Sequence, residues 1–165
     1  HLIPRRKELE QWVLSRQCVR SGFQGRPEKD ADTCYSFWCG ATAKILGCHV
    51  YIDKPSDVCW ILSAQSPMGG IAKVPDDTPD ILHSYLSYVA LAMHLEDKDE
   101  QLEKLPALAP VSASLNVSRA TLSWIQANVW THRGSNDEMP FLSPQLFYER
   151  LARFDRGKSD LLSDL

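Results

Sequence analysis

An aspartate and a cysteine separated by one residue, Asp32 and Cys34, stand where a helix is predicted to begin. A carboxylate oxygen and a thiolate sulfur are both metal ligands, and a helix N-terminus lowers the pKa of a thiol. On these residues alone a simpler interpretation is preferred. Asp32 would cap the helix, and Cys34 would be a small buried side chain.

An internal repeat changes that interpretation. Offset by 48 positions, the sequence W-V-L-S-R-Q that begins at Trp12 aligns with W-I-L-S-A-Q at Trp60, and Asp32 aligns with Asp80. The match covers a helical pattern and the loop that follows it, so two copies of one structural unit are expected.

Each unit predicts an outer helix with a polar face, a loop rich in glycine and proline, and a largely apolar inner helix. The inner helices are predicted at about 32–46 and 80–94, and we expect them to be buried on most sides. Because outer–inner helix pairs at a fixed period stack into solenoids or closed toroids, an all-α fold is expected. The repeats span about 5–47 and 53–95, within a domain of residues 1–130.

The repeat predicts that a third ligand, His83, lies beside Asp32 and Cys34. His83 lies one turn into the second inner helix, at the position that corresponds to Tyr35. Equivalent positions on successive inner helices face the same axis, so the three side chains should approach each other at one rim. Three protein ligands (oxygen, sulfur and nitrogen) with an open fourth position are typical of catalytic zinc. The remaining histidines are predicted to lack such partners: His1, His49, His94 and His132.

Three cations lie in the loops that lead to these residues. Arg26 and Lys29 precede Asp32, and Lys73 lies in the equivalent loop of the second unit. Loop cations are usually solvated surface groups. The functional alternative is an anion clamp near the metal, since the arginine fork suits phosphate.

Composition narrows the function classes. The chain has 165 residues, a net charge of −3 and 24% charged residues, which is ordinary for a globular domain and poor for nucleic-acid binding. No apolar run is long enough to span a membrane. Five scattered cysteines without C-x-x-C spacing favour a reducing, cytoplasmic location. Residues 131–165 are predicted to form a C-terminal extension with one helix.

Two stretches carry a resemblance to a known family: G-F-Q-G-R-P-E-K-D-A-D-T-C-Y-S-F-W at 22–38 and G-G-I-A-K-V-P-D-D-T-P-D-I-L-H-S-Y at 69–85. Over about residues 5–118 the chain is similar to protein prenyltransferase β subunits. The resemblance implies an α/α toroid of the prenyltransferase and terpenoid cyclase type, present here as an incomplete ring. It also implies a heterodimer with a prenyltransferase α subunit.

The resemblance assigns a role to each candidate residue. These are the zinc ligands Asp32, Cys34 and His83; the diphosphate-binding residues Arg26, Lys29, Tyr35 and Lys73; and an aromatic of the isoprenoid and peptide pocket, Trp38. The implied reaction is zinc-dependent transfer of an isoprenoid to the cysteine of a C-terminal CaaX motif. Its implied substrates are geranylgeranyl diphosphate and CaaX proteins such as Rho-family small GTPases.

Small differences separate three members of this family. Thr33 between the aspartate and the cysteine, and Leu82 before the histidine, are similar to the type I geranylgeranyl enzymes. Lys73 stands where farnesyltransferases carry a Mg²⁺-binding aspartate, which implies that Mg²⁺ is not required. Farnesyltransferase and the Rab-type geranylgeranyl enzyme remain alternatives.

Two other functions stay open at this stage. The family's β subunits have further repeats upstream, so the chain is expected to be inactive alone, and it could be a truncated chain that only binds an α subunit. Squalene-type terpene cyclases share the toroid, and Asp30-Ala31-Asp32-Thr33 resembles their acid motif. Their proton-initiated chemistry would leave Cys34 and His83 without a role.

Overall fold

The computed structural model describes residues 3–96, 100, 102 and 105–128, and these residues are largely helical. The elements are α1 (Arg6–Leu14), α2 (Thr33–Leu46), a 3₁₀ turn (His49–Tyr51), α3 (Lys54–Ser63), α4 (Ile81–Glu96), β1 (Val111–Ser112), β2 (Val117–Ser118) and α5 (Arg119–Asn128). The two strands pair in antiparallel fashion. None of the described helices is long and apolar enough to cross a membrane.

The all-α prediction is confirmed, and both inner helices begin within one residue of their predicted starts. The chain divides into two compact units, 1–125 and 126–165, and only 126–128 of the second is described. The predicted extension at 131–165 with its helix, and the histidines His1 and His132, lie outside the described residues.

The two repeats share local hydrogen bonds at equivalent positions. Ser15 Oγ donates to the carbonyl of Trp12 over 2.8 Å, and Ser63 Oγ donates to that of Trp60 over 2.7 Å. Isolated backbone bridges recur in the same way, between Gln17 and Phe23 and between Gln65 and Ile71. The two outer helices therefore end in equivalent turns, and the loops toward their inner helices begin with the same backbone pairing.

Aspartates begin three of the helices. Asp32 caps α2 by accepting the backbone N–H two residues later. Asp53 and Asp80 accept the N–H three residues later at the starts of α3 and α4. N-terminal helix donors lack partners within the helix, so a carboxylate there is stabilised by hydrogen bonds and by the helix dipole. Asp32 and Asp80 are thereby placed at the same end of the two inner helices.

The inner helices α2 and α4 pack against each other, and α3 contacts both. A Cβ placed at Gly40 would lie 3.6 Å from Met93 Cε, so this side of α2 faces α4. The shared core consists mainly of Phe37 and Ala41 from α2, Val58 and Ile61 from α3, and Leu86, Ala90 and Met93 from α4.

Each inner helix also leaves apolar residues exposed, so the prediction of burial on most sides is wrong in part. On α2, Trp38 is 52% exposed and Ile45 is 56% exposed. On α4, Tyr85 and Tyr88 are each 51% exposed, and Ile81 is 89% exposed. The physical reason is that α2 and α4 bury the sides they turn toward each other, whereas these residues point away from that contact. All five cysteines are free, as the predicted absence of a disulfide framework requires.

A buried polar chain joins α2, α3, α4 and the 3₁₀ turn. Ser36 Oγ donates to Asp57 Oδ1 over 2.7 Å, and the other oxygen, Oδ2, lies 2.7 Å from His94 Nε2. His94 Nδ1 lies 3.1 Å from His49 Nε2, and the two rings stack. Within the described residues, the metal-type cluster of Asp, Cys and His includes neither of these histidines. The contact of His94 with Asp57 was not predicted, and it arises because the start of α3 lies beside the end of α4. None of Ser36, Asp57 and His94 has measurable exposure.

We expect Asp57→Ala to lower the free energy of unfolding by about 3–5 kcal/mol, because it leaves Ser36 Oγ and His94 Nε2 buried without an acceptor. Urea unfolding followed by circular dichroism measures the loss. Asp30→Ala, which removes an exposed loop aspartate, is the matched control and should change stability by about 0.5 kcal/mol or less. Equal stabilities of the two variants would contradict this account of the buried chain.

Candidate metal and anion site

Asp32, Cys34 and His83 converge at the N-terminal ends of α2 and α4. One ligand atom from each residue lies within 4.8 Å of the other two. His83 Nε2 lies 3.2 Å from Asp32 Oδ1, and these two side chains are only 12% and 13% exposed. Cys34 is buried. The three side chains are therefore partly shielded from water at one end of the helix pair.

Local structure explains the positions of the first two residues. Asp32 caps α2, because its Oδ1 accepts the Cys34 N–H over 2.9 Å. The carboxylate of Asp32 and the thiol of Cys34 therefore lie in the same turn. Thr33 contacts the other repeat, because its Oγ1 donates to the Ala72 carbonyl over 2.8 Å and its N–H to the Lys73 carbonyl over 3.0 Å. The start of α2 is thereby tied to the loop that leads into α4.

Asp80 holds the third residue. Its Oδ1 accepts the backbone N–H of His83 over 2.9 Å, and its Oδ2 lies 2.5 Å from Nδ1 of the same residue. Hydrogen bonds from the backbone and then from the ring of His83 lower the pKa of Asp80. The sequence reasoning treated Asp80 only as the equivalent of Asp32. An aspartate three residues before a candidate histidine, at a helix start, is the signal that would have identified this contact.

The pKa of the Cys34 thiol is raised to about 12, first by burial and then by a hydrogen bond to Asp32 and the charge of that carboxylate. The nearby Lys73 ammonium opposes this rise. The metal-free residue is thus a neutral thiol at neutral pH. A bound divalent cation would reverse this preference, because coordination favours the thiolate. One oxygen, one sulfur and one nitrogen donor at these separations fit zinc.

An open cavity of about 730 Å³ lies against Asp32. Its lining includes the four residues that the sequence assigned to anion binding, namely Arg26, Lys29, Tyr35 and Lys73. It also includes the carboxylates of Asp30 and Asp77. Among the described residues, no salt bridge joins any of the three cations to a carboxylate, and all three cations are exposed. The cavity therefore offers donors for an anion beside the metal-type cluster.

The two aromatic candidates occupy different surroundings. Tyr35 lies over Gly25, where an added Cβ would be 2.2 Å from Tyr35 Cζ, so only glycine permits this ring position. Trp38 does not line the cavity. It lies one turn after Cys34 on the exposed side of α2, edge-on to Phe37 with ring centroids 5.0 Å apart. Of the five residues that the sequence assigned to substrate binding, Trp38 is the one that does not line this cavity.

The chain is similar to known proteins both in sequence and in fold. The Prenyltransferase alpha-alpha toroid domain family matches residues 1–117. The geranylgeranyl transferase type-1 subunit beta of Arabidopsis thaliana is 45% identical over 85 residues, which are 52% of this chain and 23% of that protein. The protein of the same name from Dictyostelium discoideum is 38% identical over 119 residues, 72% of this chain and 31% of that protein.

A solved structure agrees with these sequence matches. Candida albicans protein geranylgeranyltransferase-I complexed with GGPP superposes with a TM-score of 0.62 and 25% sequence identity, over 73% of this chain and 36% of that chain. The chain thus spans 23% and 31% of the lengths of the two curated relatives described above.

In the metal-free chain at pH 8, we expect iodoacetamide to alkylate Cys34 far more slowly than the exposed Cys59. The rise of the Cys34 pKa from 9.0 to about 12 lowers its thiolate fraction about 1000-fold, and the thiolate is the nucleophile. Peptide mass spectrometry after chelator treatment measures both rates. Cys39, whose pKa is also raised to about 12 by burial, is the internal reference. Similar rates at Cys34 and Cys59 would contradict the described burial.

Proposed function

Because the chain belongs to the Prenyltransferase alpha-alpha toroid domain family, we propose that it is the zinc-carrying portion of a protein geranylgeranyltransferase type I β subunit. The observation that carries this proposal is the convergence of Asp32, Cys34 and His83 beside the cation-lined cavity. The assembled enzyme would transfer a geranylgeranyl group from GGPP to the cysteine of C-terminal CaaX proteins such as Rho-family small GTPases. The similarity to two type-1 β subunits supports type I over its relatives.

In this proposal Asp32, Cys34 and His83 hold one zinc ion. A bound zinc supplies the positive charge that keeps a substrate thiol deprotonated at neutral pH. The chain's own contribution is to hold an oxygen, a sulfur and a nitrogen donor close together and to restrict the rotation of the side chains that carry them. Asp32 and Cys34 are fixed within one helical turn, and the ring of His83 is fixed by Asp80. Three protein donors leave one position for substrate.

The cations of the cavity are proposed to bind the diphosphate. In the transfer, the C1–O bond of GGPP breaks and a C–S bond forms, so negative charge accumulates on the departing diphosphate. Arg26, Lys29 and Lys73 would stabilise that charge, and the Tyr35 hydroxyl would donate a hydrogen bond. Lys73 is placed by its backbone, whose carbonyl accepts the Thr33 N–H. A fixed ammonium at this position is proposed to replace Mg²⁺, which would not be required.

The exposed apolar residues of α2 and α4 support a larger toroid. Tyr85 and Tyr88 of α4 correspond through the repeat to Phe37 and Gly40 of α2, which face α4. Trp38 corresponds in the same way to Leu86, which is buried in the core shared with α2. Positions that pack against a neighbouring repeat in one copy are therefore uncovered in the other. We propose that further repeats cover them, and that Trp38 then contributes to the isoprenoid and peptide pocket.

The proposed partner is a prenyltransferase α subunit in a cytoplasmic heterodimer, and five free cysteines accord with that location. A second candidate, from a different class, is an inactive chain that only binds the α subunit. The uncovered apolar residues of α2 and α4 are also consistent with this candidate, because an α subunit would cover them. Farnesyltransferase and Rab-type β subunits remain the alternatives within the family.

We expect the purified chain, loaded with zinc and dialysed, to hold close to one zinc ion by atomic emission. His83→Ala and Cys34→Ala each remove one of three protein donors and should lose the ion. Cys59→Ala removes an exposed cysteine of α3 and is the matched control, which should keep it. The ligand assignment is wrong if the chain and its complex with an α subunit are both folded without zinc, or if His83→Ala keeps the ion.

We expect Lys73→Ala to weaken the binding of inorganic pyrophosphate about 10-fold or more, because a charge-assisted contact is lost. Isothermal titration of the zinc-loaded chain measures the affinity at two salt concentrations. Lys7→Ala removes an exposed lysine of α1, far along the chain from the cavity lining, and should leave the affinity unchanged. Equal affinities of the two variants would exclude Lys73 from the anion site.

A further inference from the structure

Asp80 contacts His83 through both of its carboxylate oxygens. Oδ1 accepts the backbone N–H over 2.9 Å, and Oδ2 lies 2.5 Å from the ring nitrogen Nδ1. The same side chain therefore caps α4 and fixes the imidazole. The other ring nitrogen, Nε2, lies 3.2 Å from Asp32 Oδ1, on the side of the metal-type cluster.

We propose that Asp80 is a positioning residue that selects the Nδ1–H tautomer of His83 and so leaves the Nε2 lone pair available to zinc. This inference rests on the zinc site of the proposed function. A carboxylate only accepts hydrogen bonds, so the nitrogen beside it carries the proton. Neutral imidazole has a single N–H, and Nε2 is then the unprotonated nitrogen. A metal-binding histidine is commonly held in one tautomer and orientation by such a carboxylate.

Asp32 also lies near the ring, and its effect must be weighed against that of Asp80. The Asp80 contact is shorter, 2.5 Å against 3.2 Å. Asp32 Oδ1 already accepts the Cys34 N–H. In the proposed site its charge is shared with the metal, whereas Asp80 has no other role at the cluster. Asp80 therefore controls the proton on the ring.

The repeat provides a second line of argument. Asp80 is the equivalent of Asp32, and each caps its inner helix. Asp32 accepts the N–H two residues later, whereas Asp80 accepts the N–H three residues later. The Asp32 side chain lies in the metal-type cluster and is 13% exposed, whereas the Asp80 side chain is 49% exposed. Of these two equivalent capping residues, Asp32 is a proposed metal ligand, and Asp80 holds His83, the third proposed ligand.

Three variants separate the capping role of Asp80 from its effect on the ring. Asp80→Asn keeps a capping oxygen but turns an amide NH₂ toward Nδ1, which favours the Nε2–H tautomer. Asp80→Ser also caps the helix, but its side chain is too short to reach the ring. Asp53→Asn makes the same change at the cap of α3, where the carboxylate bonds Ser56 and not a histidine.

Two measurements test the proposal. Long-range ¹H–¹⁵N spectra of the metal-free chain, with His83 assigned through a His83→Gln variant, should show Nδ1–H in the wild type and Nε2–H in Asp80→Asn. Zinc affinity, from competition with a chromophoric chelator, should fall about 100-fold in Asp80→Asn and about 10-fold in Asp80→Ser. Asp53→Asn should bind zinc like the wild type. Equal melting temperatures of Asp80→Asn and Asp53→Asn would exclude unfolding as the cause.

A wild-type His83 that carries its proton on Nε2, or on both nitrogens, would overturn the proposal. Equal zinc affinity of the wild type and Asp80→Asn would do the same. The NMR measurement needs no zinc, so it decides the role of Asp80 independently. A wild-type chain with the Nδ1–H tautomer but no zinc affinity would instead count against the proposed function.

Discussion

Two hydrogen bonds from Thr33 connect the halves of the site. Thr33 is fully buried at the first turn of α2, and its N–H and hydroxyl both donate to carbonyls of the loop before α4. Buried donors without acceptors are costly, so the loop cannot move away without losing both bonds. The contact holds the backbone of Lys73 beside Cys34 and sets where α4 can begin. The approach of His83 to Asp32 depends on that start.

The repeat explains the positions of these elements, but the contacts between outer and inner helices differ from copy to copy. Ser36 and Ser84 occupy equivalent positions. Ser36 donates to the buried Asp57, whereas Ser84 Oγ accepts the backbone N–H of Ile71 over 2.9 Å. The hydrogen bond that ties Ser36 into the polar chain through Asp57 therefore has no counterpart at Ser84. Ser36 lies two residues after Cys34, so this chain also anchors the helix that carries the proposed thiolate ligand.

The sequence was informative where the repeat and the helix period act together. An offset of 48 positions is enough to predict both inner helices and to expect Asp32, Cys34 and His83 at one rim. Contacts inside a helix pair depend on the rotation of each helix about its axis, which the pattern does not specify. For that reason the buried His94 and the ring contact of Asp80 were missed. The strands β1 and β2 have two residues each, too few for any alternation to be recognised.

Charge links the proposed metal cluster to the proposed anion cavity. Arg26, Lys29 and Lys73 line it together with Asp30, Asp32 and Asp77, so the cations and carboxylates of the lining balance formally. A divalent cation bound to Asp32, with loss of the Cys34 proton, would add one net positive charge at that edge. An anion in the cavity would then be attracted more strongly. Because such coupling is reciprocal, a bound diphosphate would in turn stabilise the metal. If Asp32, Cys34 and His83 bind the metal, the binding of metal and the binding of diphosphate strengthen each other.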